Sequence, residues 1–83
     1  MKFEIIEYEL WGNAKDGYDV NSAYHTGRYI EVSEKCTDGE ILEALSRDYE
    51  LPDNVSIFGD NEYAILLEDA EDGKPLLELK RFQ

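Results

Sequence analysis

The chain predicts a small α+β domain: an antiparallel sheet with one helix packed on one face, roughly in the order ββαββ. Three observations predict it. Apolar and polar residues alternate over several short stretches, one stretch alone has helical spacing, and glycine-bearing turns separate them. Eighty-three residues, 42% of them apolar and ten of them aromatic, suffice for one core and hence for a single domain over 1–83. No internal repeat, low-complexity tract or linker marks a second one.

FEIIEYELW reads as the first strand, with Glu4, Ile6, Tyr8 and Leu10 on one face and Phe3, Ile5, Glu7, Glu9 and Trp11 on the other. The apolar side chains change face at Ile5 and Ile6, which suggests a bulge or a strand covered on both sides near its start. GNAKDG has the glycines and Asn/Asp of a hairpin turn. In YDVNSAYHTGRYIEV, Tyr18, Val20 and Ser22 alternate with Asp19, Asn21 and Ala23, His25-Thr26-Gly27 interrupts the run, and Tyr29 to Val32 resumes it.

CTDGEILEALSRDYELP carries the helix. Thr37 followed by Glu40 is a capping box, and Ile41, Leu42 and Leu45 form one apolar stripe that Tyr49 can extend. Asp38 and Glu40 suit the positive end of the helix dipole, Glu43 and Arg47 are spaced as an i,i+4 ion pair, and Pro52 is expected to end the element. VSIF is a short extended run, GDNE a turn, YAILLE a strand, DAEDGK a second turn and PLLELKRF the last strand, so the chain closes on a hairpin. One helix covers one face of a sheet. The opposite face is expected to be partly solvated, which the alternating Tyr and Glu residues suit.

The formal charge is −12, from 20 acidic and 8 basic residues, and all of it resides in residues 31–72, where fourteen acids meet only Lys35 and Arg47. Direct binding to nucleic acid or to an anionic membrane is disfavoured, because phosphate contacts need Lys and Arg. A partner with a basic surface is favoured, although acidity also serves solubility. The lone cysteine, Cys36, forms no internal disulfide, and no stretch has the apolar length of a signal peptide or membrane span. These features point to a cytoplasmic protein.

Catalysis finds little support. His25 and Cys36 are the only residues of their kinds, but a nucleophile–base pair needs an orienting group and a pocket, and Glu34 and Asp38 oppose a thiolate beside the helix start. A structural zinc site needs four His or Cys ligands. Residues 69–73 hold oxygen ligands and a glycine, without the spacing of a calcium loop. Twenty acids make every carboxylate pair uninformative, and the glycines have no phosphate-loop pattern. No enzyme, metal or cofactor is expected.

Binding remains, in two versions. In the first, Glu40, Glu43, Asp48, Glu50 and Asp53 on and after the helix join Asp60, Glu62, Asp69, Glu71 and Asp72 of the two later turns in one acidic face. Its charge density would approach that of DNA, about one charge per 3.4 Å of each strand. In the second, Tyr18, Tyr24, His25, Arg28 and Tyr29 form an interface on the tyrosine-bearing strand, or a free sheet edge docks an adaptor partner or a second copy. Strand propensity by itself explains those tyrosines.

In outline, the patterns V-N-x-A-Y-x-T-G, D-x-E-I-hydrophobic at the helix start and D-G-x-P-L-x-E-L, spread over most of the chain, resemble those of small proteins of unknown function encoded by bacteriophages and prophages. The resemblance implies a genomic setting that includes inhibitors of host defence, among them anti-restriction and anti-CRISPR proteins, some of which mimic DNA. The expectation that follows is a non-enzymatic phage-type protein that binds and inhibits a nucleic-acid-binding host protein through an acidic face.

Overall fold

The computed structural model describes residues 1–60 and 64–82. Five strands, β1 (Lys2–Asn13), β2 (Gly17–Glu31), β3 (Val55–Asp60), β4 (Ala64–Asp69) and β5 (Pro75–Phe82), form one antiparallel sheet in the order β2-β1-β5-β4-β3, and helix α1 (Asp38–Leu45) joins β2 to β3. The α+β reading therefore holds in its coarse form. The order ββαββ does not: VSIF extends into a full strand, giving ββαβββ. A short apolar run carries no period long enough to reveal its partner, and β3 is fixed only by its ladder to β4 from Val55–Asp69 to Asp60–Ala64.

This order dictates the architecture. Strands β2 and β3 occupy opposite edges and run in the same direction, so residues 32–54 must cross the sheet over one face. Ile41 and Leu45 of the crossover are fully buried against Phe3, Ile5, Ile30, Ile65, Leu67, Leu77 and Leu79, with Leu42, Tyr49, Leu51 and Ile57 packed around them. That set is the apolar stripe expected of the helix. Burying it removes apolar area worth roughly 1.5–3 kcal/mol per large side chain.

Thr37 closes the helix start as expected: its hydroxyl accepts the Glu40 amide, and the Glu40 carboxylate faces back to the Thr37 amide. The helix stops at Leu45, well before Pro52. The Leu45 carbonyl accepts the amides of both Asp48 and Tyr49, which closes a terminal turn. Acidic residues at 48 and 50 also oppose the negative end of the dipole and so disfavour a longer helix.

Strand β1 keeps an unbroken register with β5 from Lys2 to Glu7, so the bulge suggested near Ile5 is not in β1. It is in β2, where residues 26–28 face the single position between Glu4 and Ile6. Gly27 adopts φ +72, and the Thr26 hydroxyl donates to the Ile5 carbonyl at 2.6 Å while accepting the Arg28 amide at 3.1 Å. His25-Thr26-Gly27 thus bends one continuous strand and does not end it. Ile6 points away from the helix yet is buried, so the start of β1 is covered on both sides.

Beyond Glu7, β1 leaves β5 and continues with β2 alone as a two-stranded arm. At its tip, the Asn13 carboxamide oxygen accepts the Lys15 and Asp16 amides at 2.9 Å. Gly12 adopts φ +96, where an added Cβ would lie 2.2 Å from the Gly17 carbonyl oxygen, so only glycine fits this turn. The Tyr18 hydroxyl donates to Asp72 at 3.4 Å and ties the arm to the β4–β5 turn.

Candidate functional site

The crossover is where the charge of the chain is displayed. Residues 31–53 contain eight acids, Glu31, Glu34, Asp38, Glu40, Glu43, Asp48, Glu50 and Asp53, against Lys35 and Arg47, and all eight are exposed. None lies within ion-pair distance of a described cation. The expected Glu43–Arg47 pair does not form, although both residues line an open groove of about 290 Å³ between α1 and the end of β2, together with Glu31 and Glu40. Like-charge crowding on a solvated helix is tolerated because water and salt screen it. It leaves the carboxylates unneutralised.

The ten carboxylates expected to share one face do not all gather. Glu40, Glu43, Asp48, Glu50 and Asp53 follow the crossover, and Asp53 precedes Asn54, whose carbonyl accepts the Ala70 amide at 3.0 Å. This contact brings the β4–β5 turn, with Asp69, Glu71 and Asp72, to the end of the crossover. Two of its acids build the turn: Asp69 accepts the Glu71 amide at 2.9 Å, and Asp72 accepts the Lys74 amide at 3.0 Å. The backbone of Asp60 lies at the far end of β4, about 17 Å away for a six-residue strand. Glu62 is outside the described residues. Asp69, Glu71 and Asp72 thus join the acidic face and Asp60 does not, because the length of β4 separates its backbone from them.

The tyrosine-bearing strand is divided in the same way. Register and alternation put Tyr18, His25 and Tyr29 on the open side of the sheet and Tyr24 and Arg28 on the helix side. His25 Nδ1 lies 2.8 Å from Glu4 Oε1, and Tyr29 packs edge-on against Phe82 with Lys2 over both rings. His25 and Cys36 are separated by the sheet, since Cys36 packs against the helix-side core. The five residues are therefore not one contact surface.

On the helix side, Tyr24 and Arg28 of the expected interface join a cluster whose other members, Glu7, Glu9, Trp11, Ser22 and Tyr49, the sequence does not single out as a site. Tyr49, in the turn that follows the helix, donates to Glu7 at 2.6 Å, with the Arg28 guanidinium 6.0 Å from its ring. Burial, reinforced by the Glu7 carboxylate, pushes the Tyr49 phenol up to about 12. Two residues along β1, Glu9 accepts Tyr24 at 2.5 Å and Ser22 at 3.3 Å. Those hydroxyls, with Asn21, hold the Glu9 carboxyl below the usual carboxylate range. Trp11 stands next on the same face, opposite Asp19, and is 64% exposed. The period-2 alternation already placed Glu7, Glu9 and Trp11 together; what it could not show is that the core ends after Ile5.

The open side offers a different surface. Its central row runs His25, Ile6, Glu78, Leu66, Phe58 across the five strands, and Phe58 is 50% exposed. The Tyr8 hydroxyl donates to Glu78 at 3.0 Å, and its pKa is raised by burial and by the Glu78 and Glu68 carboxylates. Among the described residues no group of three His, Cys, Asp or Glu side chains could hold a metal ion, and no helix is long and apolar enough to cross a membrane. No family model, no curated protein and no solved structure matches the chain, so the site rests on its own geometry.

Proposed function

We propose that this protein is a non-enzymatic inhibitor that occupies the basic groove of a nucleic-acid-binding enzyme with its acidic crossover, in the cytoplasm of a phage-bearing bacterial host. The observation that carries this reading is the display of eight exposed carboxylates, none ion-paired with a described cation, on one segment of residues 31–53. The helix holds part of that display at a spacing suited to a phosphate reader. Glu40 and Glu43, three residues apart, share one side of the helix and are about 4.5 Å apart along its axis, of the same order as the roughly 3.4 Å per charge of a nucleic-acid strand. Ile41 and Leu45 fasten the element to the sheet, so the charges are presented in a fixed arrangement that a complementary basic surface can meet at little ordering cost.

A second reading draws on the half-exposed Tyr29, Phe58 and Phe82 of the open side. There the protein would be a small adaptor docking by that face or by the edge of β2, with acidity serving solubility.

Capture of partners from bacterial lysate, eluted by a salt gradient, separates the two. The probe variant is Glu43→Lys/Asp48→Lys/Glu50→Lys/Asp53→Lys, since among the described residues none of these four side chains makes a hydrogen bond. The first reading expects a nucleic-acid enzyme that elutes at moderate salt, is displaced by duplex DNA and is lost with the variant. A partner retained at high salt by both proteins contradicts it and supports the adaptor.

A further inference from the structure

The arm adds something that diffuse acidity lacks. Trp11 is the single tryptophan of the chain, and among the described residues neither a ring nor a cation packs on its indole. Directly opposite, across the ladder, is Asp19, and two residues back on the same face is Glu9. Glu9 is not a free-swinging surface acid: Tyr24 donates to its Oε2 at 2.5 Å, the Ser22 hydroxyl lies 3.0 Å from the Tyr24 oxygen and 3.3 Å from the same Oε2, and the Asn21 side chain bonds the carboxylate as well, which together fix it. Every donor identified on it is neutral, so its charge is oriented but not cancelled. The shelf is also continuous with the acidic crossover, because Tyr49, flanked by Asp48 and Glu50, donates to Glu7 on that face.

An exposed indole between two carboxylates is complementary to a planar cation. A guanidinium can stack on the ring while its N–H fork meets a carboxylate, whereas a lysine ammonium is a hydrated point charge that matches neither feature as well. The net charge of −12 argues against an anionic lipid surface as the occupant. Buried aromatic anchors, rather than scattered charges, carry most interface energy.

We propose that this shelf docks an arginine side chain of a protein partner, its guanidinium stacked on Trp11 between the Glu9 and Asp19 carboxylates. The inference rests on the reading that the partner is basic. It names the contact that would convert long-range attraction into a held complex.

The lone tryptophan makes the test direct. Trp11 emission is recorded while the full chain is titrated with hexa-arginine and, separately, with hexa-lysine of equal charge. The expected result is a saturable emission change that needs about tenfold less hexa-arginine than hexa-lysine. In Glu9→Gln/Asp19→Asn the arginine preference disappears; both residues are exposed, and glutamine still accepts from Tyr24 and Ser22. By calorimetry, Trp11→Ala weakens hexa-arginine binding by about tenfold. Equal responses to the two peptides, or calorimetric binding with no emission change, overturn the shelf. The two readings fail separately. Crossover reversal that spares enzyme capture overturns the inhibitor reading, whereas capture that is lost on crossover reversal but indifferent to Trp11→Ala and Glu9→Gln/Asp19→Asn overturns the shelf alone.

Discussion

On the helix side of the sheet, Phe3, Ile5, Ile65, Leu67 and Leu79 are sealed beneath Ile41 and Leu45; on the open side, Ile6 is buried while Phe58, Phe82 and Tyr29 stand half in solvent. The covered side carries the core and, on its outer surface, the carboxylates of the crossover. The open side mixes rings with paired polar groups: Glu4 with His25, Glu78 with Tyr8, and Lys2 over Tyr29 and Phe82. The difference shows how a small chain can separate its tasks. Packing energy is concentrated between the sheet and the crossover, so the outer surface of the crossover can accumulate like charge without dismantling the core.

If that division is right, the largest stability effect belongs to the covered side. Leu45→Ala should lower unfolding free energy by about 2–5 kcal/mol in chemical denaturation, a large share of the stability of so small a domain. Thr37→Ala should cost about 1 kcal/mol through the lost helix cap. Tyr49→Phe should cost about 1 kcal/mol, because Glu7 loses a donor. Phe58→Ser, on the open side, should stay within about 0.5 kcal/mol. A Phe58→Ser loss as large as that of Leu45→Ala would dissolve the comparison.

Alkaline titration sharpens it further. The folded Tyr49 phenol is raised from 10.0 to about 12, so its contribution is fully present below pH 10 and is lost as pH climbs through about 12. Tyr8 is shifted in the same direction on the other face. Stability followed by fluorescence should therefore fall over that interval in the native chain, and the fall should be shallower in Tyr49→Phe. An unchanged slope would show that the Glu7 contact does not persist in solution.

Parts of this arrangement were legible in the sequence for identifiable reasons. Thr37–Glu40 and the 41/42/45 stripe mark the helix because capping and amphipathicity are local signals. Alternation fixes the faces of β1, including the shelf of Glu7, Glu9 and Trp11. The end of the helix was misplaced because the Leu45 carbonyl closes the turn before the proline is reached. The sheet order was illegible, since which strands pair is a non-local outcome, and with it went the placement of the later turns. Asp69, Glu71 and Asp72 reach the crossover because Ala70 bonds to Asn54, whereas Asp60 is carried to the opposite end by the length of β4. Tyr18, Tyr24, His25, Arg28 and Tyr29 read as one stretch, but the pleat and the bulge at 26–28 distribute them over two faces.

The measurement that tests the account most directly is parallel capture of a lysate partner by three proteins: the native chain, the four-lysine crossover variant and an open-face variant, Phe58→Ser/Phe82→Ser. Circular dichroism first establishes that all three are folded. The account expects the crossover variant to lose the partner and the open-face variant to retain it. Loss with the open-face variant and retention by the crossover variant would contradict it, and would assign recognition to the uncovered side of the sheet.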